Sequence, residues 1–348
     1  MRYEDIYIAG TGAYHPSAVK VDEAIDDGRY TRDAQRHTGQ QRVTIAETAA
    51  EAAPEMAVRA GRAALARSGL PADQFSLLLH GVATHNGLAG WNAASYVQQH
   101  VLGGNGLAFE IHQLSNSAVG SLELACSYLA AGPERSAAMI TAADRFGPAA
   151  WDRFRSAPPI FVFADAASAV VLAKGTGFAR VLSVTSVADA ELEGMQRGAL
   201  PFSANPQDGY PIGFFDRILE FSETIGLGVD ELVKRMSELM AEAGARAYAE
   251  AGISASDVKV AATPALGREA LYEQCLVPLG IDIDRSTWRY ARQVGHAGCT
   301  DQFAALADLV DTEQLAPGDR VLIAGLGGGY NCTVAVLEIV GEPTPGLP

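Results

Sequence analysis

Phe109-Glu-Ile-His-Gln-Leu-Ser-Asn-Ser-Ala118 changes character twice within one short stretch. A short apolar run over 108–111 stops, a few polar residues intrude, and an Ala-rich run over 118–130 begins. The first run has the length of a strand and the second that of a buried helix. A strand that leads through a short polar turn into a helix is the repeating unit of α/β proteins.

On either side of this stretch the same alternation recurs. Strands are predicted over 6–8, 75–82, 137–143, 180–186, 258–263 and 320–323. Helices are predicted over 54–68, 87–101, 226–252, 269–279 and 303–310. Gly10-Thr-Gly12 reads as the turn that closes the first strand. The runs 160–163 and 169–172 read as a hairpin around Ala164-Asp-Ala-Ala-Ser168. The Gly-rich Gly325-Leu-Gly-Gly-Gly329 leads into a last strand over 333–339. Strand 108–111, helix 118–130, strand 137–143 and a hairpin are mirrored in the second half by loop 292–298, helix 303–310, strand 320–324 and the Gly-rich hairpin, a pattern of internal duplication. The expected division is an N-terminal half over 1–174, a C-terminal half over 175–340 and a flexible tail over 341–348. Segment 201–225, richer in Pro, Gly and aromatics, reads as a lid over a site or as a surface loop.

Length and composition agree with two packed halves. The chain has 348 residues, 48% apolar and 19% charged, more than one ordinary core requires. Its net charge of −15 argues against a nucleic-acid binder. Cys126, Cys275, Cys299 and Cys332 stand singly, so neither a zinc site nor a disulfide framework is expected. Scattered single thiols read as reduced and cytoplasmic, the charged N-terminal stretch does not read as a signal peptide, and without a long apolar run no membrane span is expected.

Three clusters could carry chemistry. Ser115 stands before an apolar helix, where the helix dipole favours a developing oxyanion; the alternative is a simple helix cap. In Gln293-Val-Gly-His-Ala-Gly-Cys-Thr-Asp301, small neighbours leave His296 reachable and Asp301 is placed to orient it. The alternative there is a capping Asp301 and a structural histidine. The glycines over 325–329 offer backbone amides to an oxyanion or serve a tight hairpin turn; the amide of Gly328 together with that of Ser115 is the expected pair of oxyanion donors. His85, His112 and Cys299 are weaker candidates, as turn residue, site neighbour and apolar filler. Arg36, Arg42, Arg153 and Arg155 are the cations available to cofactor phosphates.

The ordered set resembles the ketoacyl-ACP synthase III family. Ile8-Ala-Gly-Thr-Gly-Ala-Tyr-His-Pro16 looks like its opening strand, and His37-Thr-Gly39 like its Arg-Thr-Gly element. Phe163-Ala-Asp-Ala-Ala-Ser-Ala-Val-Val171 resembles its Phe-Gly-Asp-Gly-Ala-Gly-Ala-Val-Val segment, and Gly327-Gly-Gly329 its C-terminal hairpin. The resemblance implies a thiolase-like five-layered α/β/α/β/α fold from two similar halves, a homodimer, and acyl transfer from coenzyme A to an acceptor. It implies no permanently bound cofactor and no metal, with acyl-CoA as substrate and an acyl carrier protein as a possible partner.

The chain departs from the family pattern at all three catalytic places. Ser115 stands for the cysteine and His296 for the asparagine. The His-Gln-Ala-Asn element falls on Thr263-Pro-Ala-Leu-Gly-Arg268, without a histidine. Ser115, His296 and Asp301 remain as nucleophile, base and orienter. This resembles a divergent antibiotic-pathway subgroup with a serine nucleophile. The expected reaction is polyketide starter-unit priming onto malonyl-carrier protein. The alternatives are O- or N-acylation of a natural product such as a glycoside, a thioesterase, and a non-catalytic partner.

Overall fold

The computed structural model describes residues 1–147, 150–202 and 209–343. Its strands are β1 (Ile6–Tyr14), β2 (Ala18–Lys20), β3 (Arg42–Thr44), β4 (Phe75–Val82), β5 (Leu107–His112), β6 (Ala137–Asp144), β7 (Ala166–Lys174), β8 (Ala179–Ala188), β9 (Val258–Ala262), β10 (Arg320–Gly327) and β11 (Asn331–Ile339). Among the described residues the long strands run in the order β5-β4-β6-β7-β1-β8-β11-β10-β9. Read from its far end, the C-terminal run β9-β10-β11-β8 repeats β4-β6-β7-β1. The counterpart of β5 is reduced to one parallel bridge, Ala261 to Ser286. β1 and β8 touch at Tyr7–Arg180 and Ile8–Ala179, which joins the two sets.

Helices lie on both sides of each set. Ser117–Ala130 and Asp301–Asp311 form the middle layer: Leu122, Leu129, Phe303 and Leu306 pack into one core with strand residues of both halves. Ala53–Ser68 covers the outer face of the first set through Met56, Ala60 and Ala64. Val229–Ala251 covers that of the second through Leu232, Met236 and Met240. The order is helix, sheet, helix, sheet, helix. Strands buried on both faces explain the continuous apolar runs of β6 and β7.

Three expectations fail for identifiable reasons. Gly10 and Gly12 do not close a turn; they lie inside β1. A Cβ would stand 2.2 Å from the Ala64 carbonyl oxygen at Gly10, and equally close to that of Ala60 at Gly12. The glycines let the outer helix press against the strand. The predicted helix 87–101 begins instead at Ala93, where the Asn92 side chain accepts from Ser95 N. Gly87 and Gly90 ahead of it hold left-handed φ of 111° and 76°. Finally, 160–163 is no hairpin strand. Ala164 N donates to the His296 carbonyl and His296 N to that of Val162, so this apolar run pairs with the histidine loop.

Within 201–225, residues 203–208 lie outside the described residues, while Phe214–Ile225 is a helix. Of the tail, 344–348 likewise lie outside them. No helix of the described residues is long and apolar enough to cross a membrane.

Candidate active site

The two halves meet at a cavity into which each sends one end of its central helix. β5 ends at His112, and Leu114 then takes φ 47°, a left-handed conformation unfavourable for a branched side chain. The strain is held from several sides. Gln113 N donates to Ser117 Oγ (2.7 Å), and that hydroxyl lies 2.8 Å from the Val82 carbonyl oxygen. Asn116 Nδ2 reaches Asn331 Oδ1 (2.6 Å) and Thr333 Oγ1 (2.9 Å) on β11. This lifts Ser115, half-buried, to the start of the helix.

The Gly-rich run makes room for that turn. A Cβ at Gly327 would stand 2.4 Å from the Gln113 carbonyl oxygen, one at Gly325 2.3 Å from Asn116 Oδ1, and one at Gly328 2.3 Å from Leu114 Cδ1. Close packing accounts for three of its glycines, and Gly329 turns the chain at φ 98°.

His296 follows the helix Trp288–Val294 and Gly295, whose φ of 90° suits glycine. It is 2% exposed and Asp301 3%. Its Nε2 lies 2.8 Å from Ser115 Oγ and its Nδ1 2.6 Å from Asp301 Oδ2. Asp301 opens the helix Asp301–Asp311 and also accepts from Ala297 N (2.9 Å) and Ala265 N (2.7 Å). An ionised carboxylate only accepts, so it places the imidazole proton on Nδ1 and leaves Nε2 free to accept from the serine. The segment that lacks the family histidine, 263–268, here supplies a backbone donor to Asp301.

Buried Asp144, at the end of β6, fastens the loop between His296 and Asp301. It accepts from Ala83 N (2.9 Å), Thr84 N (2.7 Å), Thr84 Oγ1 (2.9 Å), Cys299 N (3.0 Å) and Cys299 Sγ (3.2 Å). Burial pushes its carboxyl above the usual range against the pull of these donors. Burial and the neighbouring Asp144 raise the Cys299 thiol well above its ordinary value, so Cys299 is a packed neighbour of the site.

The cavity is walled by Phe146, Trp151, Phe161, Phe163 and Phe214 on one side, with Met195, Met236, Leu266 and Leu326 among the rest. The Phe161 ring stands 4.5 Å from the imidazole. This wall was not singled out from sequence, although 146–163 is visibly aromatic. A second hollow shares Ala83, Leu114, Trp151, Gln196 and Phe214 with the first, and His85, Glu110, His112 and Arg217 line it.

The arginines lie elsewhere. Arg153 grips Asp165 Oδ2 at 2.9 Å, with side chains 13% and 0% exposed, and also donates to the carbonyls of Phe163 and Phe146. Its donors are engaged inside the protein. Exposed Arg36 pairs with Asp33 at 2.7 Å, Arg155 donates to the Gly28 carbonyl, and Arg42 to that of Ala18. The four cysteines are buried and free.

The family model for the C-terminal part of 3-oxoacyl-(acyl-carrier-protein) synthase III matches residues 248–339. The beta-ketoacyl-(acyl-carrier-protein) synthase III of Roseiflexus castenholzii is 27% identical over 95% of this chain and 97% of its own. That of Clostridium perfringens strain SM101 is 22% identical over 97% and 100%. Among solved structures, 3-oxoacyl-(acyl-carrier-protein) synthase III of Aquifex aeolicus superposes with a TM-score of 0.79 at 19% identity, over 96% of this chain and 99% of that one. The ChlB3 acyltransferase superposes with a TM-score of 0.90 at 35% identity, over 98% and 99%. Whole-chain similarity at that level, on the same layered frame, makes this chain a transferase-type member of the ketoacyl-ACP synthase III family, with the thiolase fold and in a divergent branch of it.

Proposed function

We propose that the chain moves an acyl group from a thioester to an acceptor through an ester on Ser115. The observation that carries the reading is the unbroken contact from Ser115 Oγ to His296 Nε2 (2.8 Å) and from Nδ1 to Asp301 (2.6 Å). His296 takes the hydroxyl proton as Oγ attacks the thioester carbon. Asp301 keeps the imidazole in the accepting tautomer and balances its charge once it is protonated. The carbonyl electrons move onto oxygen, which the amides of Ser115 and Gly328 receive. The C–S bond then breaks, and the thiol leaves with the proton from His296. Donors are acyl-CoA or an acyl carrier protein, with the phosphates of the former met by exposed Arg36 and Arg155.

The same base serves the second step by deprotonating an acceptor hydroxyl, amine or thiol. Decarboxylative condensation asks for two groups that stabilise an enolate, and Ala265, in the segment where the family histidine falls, offers only backbone to Asp301. The geometry therefore favours a heteroatom acceptor over the malonyl carbon of starter-unit priming. An acceptor screen separates them: the acylated chain is offered malonyl-carrier protein, holo-carrier protein, a glycoside and an amine. Carbon dioxide release with a β-ketoacyl product overturns the heteroatom reading. Hydrolysis that no acceptor diverts overturns transfer altogether.

A further inference from the structure

We propose that Gln196 donates a hydrogen bond from Nε2 to the oxygen that becomes negative at the acyl carbon, an inference that rests on the Ser115 reading above. Gln196 ends the 3-10 helix Ala190–Gln196, distant in sequence from every motif of the site. Its side chain is nevertheless fixed there. Gly329 N donates to its Oε1 at 3.1 Å. Because a backbone N–H can only donate, the amide cannot be turned over, and Nε2 must face away from Gly329.

The amide lies across Gly328: a Cβ there would stand 2.9 Å from both Cδ and Oε1 of Gln196. Arg217 holds the same residue from behind, donating to its main-chain carbonyl at 2.8 Å. Gln196 lines the cavity that holds Ser115 and His296, and also the neighbouring hollow, so it stands where the two meet. Among the described residues, no acceptor is paired with Nε2. A donor pinned at one end and unpaired at the other, beside Gly328, is preorganised for an oxyanion. The bond from Gly329 polarises the amide in the direction that strengthens its donation.

In the step concerned, the Oγ–C bond forms and the Oγ proton passes to His296 Nε2. The carbonyl π pair becomes an oxygen lone pair that accepts from Gln196. When that pair returns, the C–S bond breaks and the sulfur leaves with the proton from His296.

Two variants separate donation from anchoring. Q196E keeps an acceptor for Gly329 N but replaces the donor with a carboxylate oxygen. Q196M removes both. Rapid-quench intact-mass measurement follows a single turnover of acylation, using whichever CoA thioester of a panel from acetyl to octanoyl and benzoyl labels the native chain fastest. The expected result for Q196E is an acylation rate lower by about 10²–10³-fold, a larger loss than in Q196M, with substrate KM nearly unchanged. If Q196E acylates like the native chain while Q196M is slow and melts earlier, Gln196 only anchors the glycine turn and the proposal is overturned. A native chain that takes no label from any thioester removes the Ser115 reading itself. A labelled native chain with an unimpaired Q196E removes this inference alone.

Discussion

Replacing Asp301 with asparagine tests the electrostatics of the site while changing one atom. The carboxylate faces three N–H donors: His296 Nδ1 and Ala265 N on Oδ2, and Ala297 N on Oδ1. An asparagine has one acceptor oxygen and must point its amino group at a donor. If the oxygen stays on the His296 side, Ala297 N loses its acceptor in a buried setting, a cost of about 1–3 kcal/mol. If it turns the other way, Nδ1 becomes the acceptor, the proton moves to Nε2, and Nε2 can no longer take the serine proton. In either case the imidazolium formed during attack loses its counter-charge. Opposite charges about 4 Å apart interact by about 4 kcal/mol at an effective dielectric near 20, equivalent to roughly 10³-fold in rate. Single-turnover acylation of D301N should therefore fall by about 10³-fold, with substrate KM little changed. A fall of less than about fivefold in a folded D301N would refute the assignment of Asp301 as orienter and counter-charge.

Other perturbations act on the loop, the buried ion pair and the buried histidine. Gly298 has φ 64°, and a Cβ there would stand 2.2 Å from Asp144 Oδ2. G298A should displace the loop between His296 and Asp301, lowering both the melting temperature and the acylation rate; a native-like variant would show that this contact is slack. Arg153→Ala leaves the buried Asp165 carboxylate without its cation and should destabilise the fold by about 3–5 kcal/mol in denaturant titration. Loss of CoA affinity without loss of stability would return Arg153 to a phosphate-binding role. Fully buried His80 has its pKa pushed down by burial from 6.5 to about 4. Below pH 6.5 the unfolded chain therefore binds the proton more readily. The stability contributed by the neutral histidine is whole above that pH and is lost as pH falls toward 4, about 3 kcal/mol in all. His80→Gln should flatten this acid limb of the stability curve.

The site was legible where chemistry coincides with a junction of elements. Ser115 and Asp301 open helices and His296 sits among small residues, so local pattern marked each. Their mutual distances depend on the two halves closing, which no local pattern carries. The aromatic wall and Gln196 were missed for a related reason. Gln196 reaches Gly329 across 133 positions of chain, and nothing near it in sequence is unusual. Arg153 reads in sequence like any other arginine, because its buried partner Asp165 lies 12 positions on, in a segment that reads as a hairpin turn. That segment misled through its apolar run over 160–163, which suits a strand but pairs with His296 instead. Glycine was also ambiguous: in β1 it signals helix contact, before Asn92 it signals left-handed turns, and in β10 it signals room for the Ser115 turn.

Ser115 is the residue proposed to carry the acyl group. Intact-mass analysis of the native chain and of Ser115→Ala after exposure to a panel of acyl-CoA thioesters, followed by peptide mapping, tests it most directly. One acyl addition is expected on the native chain, located on the peptide containing Ser115 and absent from the variant. An unlabelled native chain, or a label that persists in Ser115→Ala, would contradict it.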